Sequence, residues 1–434
     1  MDGVTGGKLG TAPGVSKRAD WYTKLVYRPG VPGVRLVRPP PVAIFPGSLH
    51  MLRLERVTLR EIRLALKEPF RISSGVESER RILLLELDTG DGASVWAECV
   101  AFPRPNYTPE TIDTAWLAIR EWLAPRLLGR ELPGAYAVHD VLSQDIRGHN
   151  MAKAVLEMGC WGLDAEVQRR PLSLLLGGTR ARVPTGISLG IQPVPGLLVE
   201  RAVAAVAAGY RKIKLKIQPG QDVEYVKAVR RALGPDIEIM ADANAAYTIA
   251  DAAHLATLDQ YEMLMLEQPF GADAMLQLAE LQRLMKTPLC LDESIIDVSR
   301  ARDMIALGSG KIINIKPGRV GGFTASKAIH DVCEDAGVPV WCGGMLETGI
   351  GRAYNVALAS LPNFSMPGDL SPSARYWTRD IVTPEWTMGT DGMVAVPRST
   401  PGLGVTVDVD FIESLTTRVE VLAYDGATVT GRAR

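Results

Sequence analysis

Three acidic residues, Asp242, Glu267 and Asp292, stand 25 residues apart in succession, and each ends or nearly ends a short apolar run: 236-DIEIMAD-242, 262-EMLMLEQ-268 and 288-PLCLDES-294. One strand-plus-helix unit of a parallel α/β barrel has about that length. The spacing therefore predicts three carboxylates at one height on neighbouring strands, at the C-terminal rim where such barrels carry their active sites. Convergent carboxylates repel unless a cation holds them. Oxygen donors, one per strand with room for water and substrate, suit Mg²⁺ or Mn²⁺, whereas zinc would recruit His or Cys. The five histidines, at 50, 139, 149, 254 and 330, all lie away from the predicted strand ends.

Lysines occupy the equivalent places on flanking strands. Lys214 and Lys216 share one face of 211-RKIKLKI-217, because strand side chains alternate with period two, and Lys316 closes 311-KIINIKP-317. Counted from 183-VPTGISLGI-191, these runs are the second and the sixth, which a barrel of eight strands places opposite one another. Two amines would then face each other across a bound substrate, with the metal to one side. That arrangement suits removal of a proton α to a metal-bound carboxylate, the metal stabilising the enediolate that forms. A base on each face also lets the proton return on the opposite side and racemise the centre. Taken singly, an acid or lysine at a strand end is more often a cap or a surface ion pair. Five in matching phase are not accounted for that way.

The elements that must hold these residues follow from periodicity. After Arg182, β-branched runs alternate with amphipathic stretches of helical length, the seventh run being 338-VPVWCGGM-345, and this predicts a (β/α) barrel over residues 182–385. Upstream, 54-LERVTLREIRLAL-66 and 81-RILLLELDTGDGASVWAECV-100 read as antiparallel strands, and 109–128 and 150–168 carry helical periodicity. Strands followed by helices predict an α+β domain over 51–181, with 386–434 returning to it. In residues 1–50, Gly and Pro supply 15 positions and seven Lys/Arg face two Asp, so this arm is expected to be disordered or non-conserved.

Composition removes several function classes. Lys+Arg total 48 against 49 Asp+Glu in 434 residues, which leaves no positive excess for a nucleic acid partner. The longest apolar runs, such as 202-AVAAVAA-208, fall far short of a membrane span. Five cysteines without a C-x-x-C spacing predict reduced, buried thiols in a cytoplasmic enzyme. Gly186-Ile187-Ser188-Leu189-Gly190 matches G-x-S-x-G, but it reads as strand interior rather than the sharp turn a nucleophilic serine needs, so Ser188 is expected as a polar pocket wall.

At 212-KIKLKIQPG-220, 240-MADANAAY-247, 264-LMLEQP-269, 289-LCLDES-294, 314-NIKPGRVGG-322 and 341-WCGGMLETGIGRA-353 the sequence resembles the enolase superfamily. Within it, the sequence is similar to the o-succinylbenzoate synthase / N-acylamino acid (N-succinylamino acid) racemase family of the muconate-lactonizing subgroup, over residues 52–412. Lysine bases beside Mg²⁺ are a known pattern of enolase-superfamily sites. The resemblance implies a modified TIM barrel, (β/α)7β, under an α+β capping domain. It implies Asp242, Glu267 and Asp292 as Mg²⁺ ligands, with Mn²⁺ or Co²⁺ able to substitute, and Lys216 and Lys316 as the opposed bases. Lys214 and Asn244 would support them, and Ser188, Met345, Leu346, Ser74 and Arg319 would contact substrate. Cap loops 70-FRISSG-75 and 99-CVAFPRPNY-107 would close over the acyl group and side chain. The sequence departs from the pattern at Pro317-Gly318, beside Lys316, where relatives carry bulkier residues.

The implied activity is racemisation of N-acylamino acids together with dehydration to o-succinylbenzoate in menaquinone biosynthesis. The alternatives are the dehydration as main role, or another epimerase or cycloisomerase of the same subgroup. The partner would be a small-molecule carboxylate, and the assembly a homo-oligomer. Acid-sugar dehydratases would need a His near the end of strand seven, which 339-PVWCGGMLE-347 lacks, and dipeptide epimerases a D-x-D pair where 365-SMPGDLSPS-373 offers Asp369 alone. A chain starting at Met51 is expected to keep its melting temperature within a few degrees and its activity within about twofold, since the arm cannot support a core; an insoluble product would show that the arm packs on the fold.

Overall fold

The computed structural model describes residues 51–72 and 75–433, so the expectations for residues 1–50 and for Ser74 lie outside the described residues. A meander of three antiparallel strands, β1 (Arg56–Ile72), β2 (Gly75–Asp88) and β3 (Ser94–Cys99), opens the fold. Val57, Leu59, Ile62, Leu83, Leu85 and Leu87 are all buried in it. β1 runs six residues beyond the predicted stretch, and its register against β2 shifts between Ala65 and Phe70. Such a shift bends the strand and re-aims its end, here the end that reaches the barrel mouth.

The predicted helix over 109–128 is shorter. α1 (Ile112–Ala118) starts at a capping box of Thr111 and Thr114, then gives way to a widened turn over Ile119–Leu123 and a tight one over Ala124–Arg126. Pro125 lacks the N–H an α-helix needs there, which periodicity alone does not register. α2 (Asn150–Val167) agrees with its expected span. It is buried on nearly every side because it is wedged between the cap sheet and the barrel. Small residues make that possible: a Cβ on Gly159 would stand 3.0 Å from Leu87, and one on Gly162 would stand 2.6 Å from the Tyr354 hydroxyl.

Seven parallel strands, hydrogen-bonded in chain order, form the barrel wall: β4 (Gly186–Leu189), β5 (Lys212–Lys216), β6 (Glu238–Asp242), β7 (Leu266–Glu267), β8 (Leu289–Leu291), β9 (Ile312–Ile315) and β10 (Val340–Cys342). The chain at Gly368-Asp369 closes the ring. Gly186 N–H donates to Gly368 O at 2.7 Å, and Asp369 N–H donates to Cys342 O at 2.8 Å. The molecule is therefore a modified (β/α)7β TIM barrel with an N-terminal capping domain. Helices between the strands are amphipathic, and Met240, Met265, Cys290, Ile312 and Trp341 plug the barrel interior below the rim.

The C-terminal segment divides. Met393–Ala395 pairs with Arg182–Pro184 at the barrel, whereas β11 (Thr416–Tyr424) pairs antiparallel with β1 and β12 (Val429–Ala433) extends that sheet. All five cysteines are free and buried, in line with reduced thiols. No helix among the described residues is long and apolar enough to cross a membrane.

Two cap glutamates grip barrel helices by their N-termini, where backbone N–H groups lack partners. Glu157 on α2 accepts from the N–H groups of Phe323 (2.7 Å) and Thr324 (2.9 Å) at the start of α3 (Phe323–Asp335). Glu98 on β3 accepts from Thr348 N–H and Gly351 N–H, both at 3.0 Å, and from the Thr348 hydroxyl at 2.6 Å, at the start of α4 (Gly349–Ala359). Burial pushes the Glu98 carboxyl up to about 7, against the pull of the Thr348 hydrogen bond. Its folded-state pKa thus lies above the unfolded value of about 4.3, so its contribution to stability is present below that pH and is lost as pH rises through 7. Relative to the parent, Glu98→Gln should therefore gain stability between pH 4.5 and 7 by up to about 3 kcal/mol, and level off above. A difference in melting temperature that is flat across those pH values would refute this.

Candidate active site

Strand register brings the charged residues together before any loop contributes. Lys216 on β5 is the lateral partner of Asp242 on β6, and Asp242 is the partner of Glu267 on β7. Alternation then sends Lys212, Lys214 and Lys216 inward and Ile213 and Leu215 out to the helix layer, with all five buried. Asp292 follows β8 and Lys316 follows β9. Gln268 fixes the first of these: its side-chain oxygen accepts from Asp292 N–H (3.0 Å), and its nitrogen donates to Phe270 O and Ser294 Oγ (both 2.8 Å). Asn244, Gln268 and Leu346 have left-handed backbones at φ 42°, 35° and 58°, which places strained residues at the rim around the lysines.

Each carboxylate is turned onto a cation of the chain. Lys216 Nζ lies 2.5 Å from Asp242 Oδ2 and 2.6 Å from Asn244 Oδ1. Lys316 Nζ donates to Asp292 Oδ2 at 2.8 Å and to the Tyr107 hydroxyl at 3.1 Å. Lys214 Nζ sits 3.3 Å from Glu267 Oε2 and 3.4 Å from Asp242 Oδ2, while Asn314 Nδ2 donates to Glu267 Oε1 at 2.7 Å. Burial opposes charge on Lys316, but Asp292 and Tyr107 override it and hold the amine above its ordinary value. Burial likewise works against ionised Asp242, yet Lys216 and Lys214 hold its carboxyl below the usual range. Glu267 is the exception. Burial, followed by repulsion from Asp242, pushes it up to about 8.

These carboxylates fit a divalent cation by the chemistry of the donor set. Asp242, Glu267 and Asp292 offer hard oxygens only, all buried, from three adjacent strands. Glu293 Oε2, beside the cluster, is a further buried oxygen without a hydrogen-bond partner. Among the described residues, the one group of metal-compatible side chains with ligand atoms all within 4.8 Å of one another is buried His330 with exposed Asp331 and Glu334 on α3. There both ring nitrogens of His330 are already engaged, by Asp331 and by Asn363 N–H.

A cavity of about 70 Å³ opens over the lysines. Ser188, Lys214, Lys216, Asn244, Lys316, Met345 and Leu346 line it, joined by Asp369 from the barrel and by Phe70, Glu77, Phe102, Asn106 and Tyr107 from the cap. Ser188 sits inside β4, not on a turn, and its buried hydroxyl has no hydrogen-bond partner, so it faces the cavity as a free polar group.

Arg319 departs from expectation. It is 2% exposed and lies behind Lys316, its guanidinium on Asp292, on the Tyr107 hydroxyl (3.0 Å), and on the carbonyls of Ile295 (2.7 Å) and Asn314 (2.6 Å). It orders the wall that carries Lys316 and is absent from the cavity lining. Tyr107 received no role from sequence reasoning, although its loop was singled out; its hydroxyl donates to Asp292 Oδ1 at 2.9 Å. Asn314 was also missed. The signal was present, since Asn314 is in phase with Lys316 as Lys214 is with Lys216.

Residues 55–177 match the mandelate racemase / muconate lactonizing enzyme N-terminal domain family, and residues 197–411 match the enolase C-terminal domain-like family. The o-succinylbenzoate synthase of Geobacillus kaustophilus is 47% identical over 371 residues, covering 84% of this chain and 96% of the relative. The N-succinylamino acid racemase of an Amycolatopsis species is 45% identical over 366 residues, covering 84% and 98%. Among solved structures, an enolase-superfamily member from Listeria innocua superposes with a TM-score of 0.83 at 38% identity, covering 86% of this chain and all of that one. The N-succinyl Arg/Lys racemase of Bacillus cereus does so at 0.78 and 25% identity, covering 85% of this chain and all of its own. Both family models and relatives at 45–47% identity over most of the chain agree: it is an enzyme of the enolase superfamily and belongs to its o-succinylbenzoate synthase / N-succinylamino acid racemase family.

Proposed function

We propose that this enzyme is a Mg²⁺-dependent racemase of N-acylamino acids, N-succinylamino acids foremost, which also dehydrates the menaquinone precursor to o-succinylbenzoate at the same site. The observation that carries the reading is the pair Lys216 and Lys316, delivered by β5 and β9 to one cavity on either side of the carboxylate cluster. The names of the relatives at 45–47% identity cover both reactions, which share one step, removal of the proton α to a carboxylate. Synthase activity as the main role is the second reading, favoured by the synthase relative being as similar as the racemase. The reading includes a cytoplasmic location and assembly as a homo-oligomer.

A dication held by Asp242, Glu267 and Asp292 would take up negative charge that now faces the lysine ammonium groups and would supply an electrophile for the substrate carboxylate. The rest falls to the chain. One lysine takes the α-proton from its face while the other, still an ammonium, delivers a proton to the opposite face; the roles exchange for the other enantiomer. Lys214 faces the substrate carboxylate, and Ser188 offers a hydroxyl to a polar group. Phe70, Phe102 and Tyr107 keep water from the carbanion. For dehydration, Lys216 removes the proton and then protonates the departing hydroxyl on the same face, releasing water, while Lys316 stays a cation.

Chelation should abolish activity, and Mg²⁺, Mn²⁺ or Co²⁺ should restore it. Added Mg²⁺ should raise the melting temperature of the parent but not of Glu267→Gln, which should also lose at least about 10²-fold in activity. Full activity in excess chelator, with metal shown to be absent, would overturn this.

Lys216→Ala and Lys316→Ala should each lose net racemisation by at least about 10²–10⁴-fold. In D₂O each should still wash deuterium into one enantiomer of an N-succinylamino acid, with opposite preferences. If both exchange the same enantiomer, one base suffices and the opposed-lysine mechanism is wrong.

A further inference from the structure

Asp369 lies on the stretch that closes the barrel and is 5% exposed. Its Oδ2 is 2.5 Å from Lys214 Nζ, nearer than either Glu267 or Asp242, which stand at 3.3 and 3.4 Å. Its Oδ1 accepts no hydrogen bond and lies 3.6 Å from Lys212 Nζ. Lys212 is itself unusual. It is 0% exposed, has no hydrogen-bond partner, and rests its ammonium 3.6 Å from the centroid of Trp341, with Asp369 as the carboxylate paired to it. Nothing in the proposed chemistry uses either residue.

The geometry becomes intelligible as a column. Lys212, Lys214 and Lys216 project inward from one strand, two residues apart, so three like charges stack toward the rim. Lys216 is held by Asp242 and Asn244 at the top. Lys214, on a flexible four-carbon stem, has carboxylates on two sides: Asp242 and Glu267 in the metal cluster, and Asp369 outside it. Without Asp369 it would fall entirely on the two cluster acids and compete there with a dication. We infer that Asp369, anchored from below by Lys212, is a positioning residue that draws the Lys214 ammonium off Asp242 and Glu267 and aims it into the substrate cavity.

This rests on the proposed function, and the test separates the two. Mg²⁺ affinity, followed by calorimetry or by the melting temperature, is read beside kcat and KM on an N-succinylamino acid. Asp369→Asn should weaken Mg²⁺ binding by about tenfold and lower kcat by about 10–100-fold, with KM changed less than about threefold. Lys212→Met should move both in the same direction by less, which keeps the test open if the first variant folds poorly. In a Lys214→Met background, Asp369→Asn should change neither quantity by more than about twofold, because the residue it acts through is gone. Losses that persist undiminished in that background, or Mg²⁺ affinity unchanged in both single variants, would overturn the inference. A parent that binds Mg²⁺ but exchanges no α-proton would instead sink the function, leaving the affinity comparison to judge Asp369.

Discussion

A carboxylate removed from water costs several kcal/mol unless a positive charge stands beside it, and the barrel mouth removes four of them: Asp242, Glu267, Asp292 and Asp369. The site depends on meeting that cost with groups that remain useful for chemistry. Lysines do so here because strand register, not loop conformation, puts Lys216 beside Asp242 and Asp242 beside Glu267. A slip of β5 by one residue would turn Lys214 and Lys216 into the apolar helix layer and Ile213 and Leu215 into the mouth. The apolar alternation that builds the core therefore also enforces the charge pattern.

The cap completes what the barrel begins. Tyr107, Phe70 and Phe102 reach the cavity from cap segments, and the cap is tied to the barrel by Glu157 and Glu98 at two helix N-termini. The same two carboxylates that dock the domains are thus spent on satisfying backbone donors, and the docking places a hydroxyl between Asp292 and Lys316. Water exclusion and positioning of that lysine come from one packing event.

Much of this was legible in the sequence because its signals are local. Seven apolar runs gave the barrel strands, the 25-residue spacing gave the metal-compatible acids, and the phase of Lys214 with Lys216 gave their common direction. The rest depends on contacts that no local pattern carries. Arg319 reads as a rim residue three positions after Lys316, yet the short helical turn at Pro317–Val320 swings its side chain behind the strand onto Asp292. Tyr107 meets Asp292 across 185 residues, and Glu98 meets Thr348 across 250. Asp369 stood out in sequence only as a single acid where a pair would mark a different activity. Its partners could be named only once the ring was closed.

Closure also bears on Pro317-Gly318. A Cβ on Gly318 would stand 2.3 Å from Val100 of the cap, and one on Gly343 would stand 2.3 Å from Asn314 Oδ1 and 2.7 Å from Lys316 Cε. Lys316 thus runs past one bare glycine and starts beside another, with the cap packed directly onto the backbone that carries it. A bulkier residue at 318 would have to be met by retreat of the cap near Val100, and β3 of the cap also carries Glu98, the carboxylate that grips α4. The pose of Lys316 and the seating of the cap are therefore one variable in this chain, and the small residue after Lys316 is the means by which cap and catalytic lysine approach this closely.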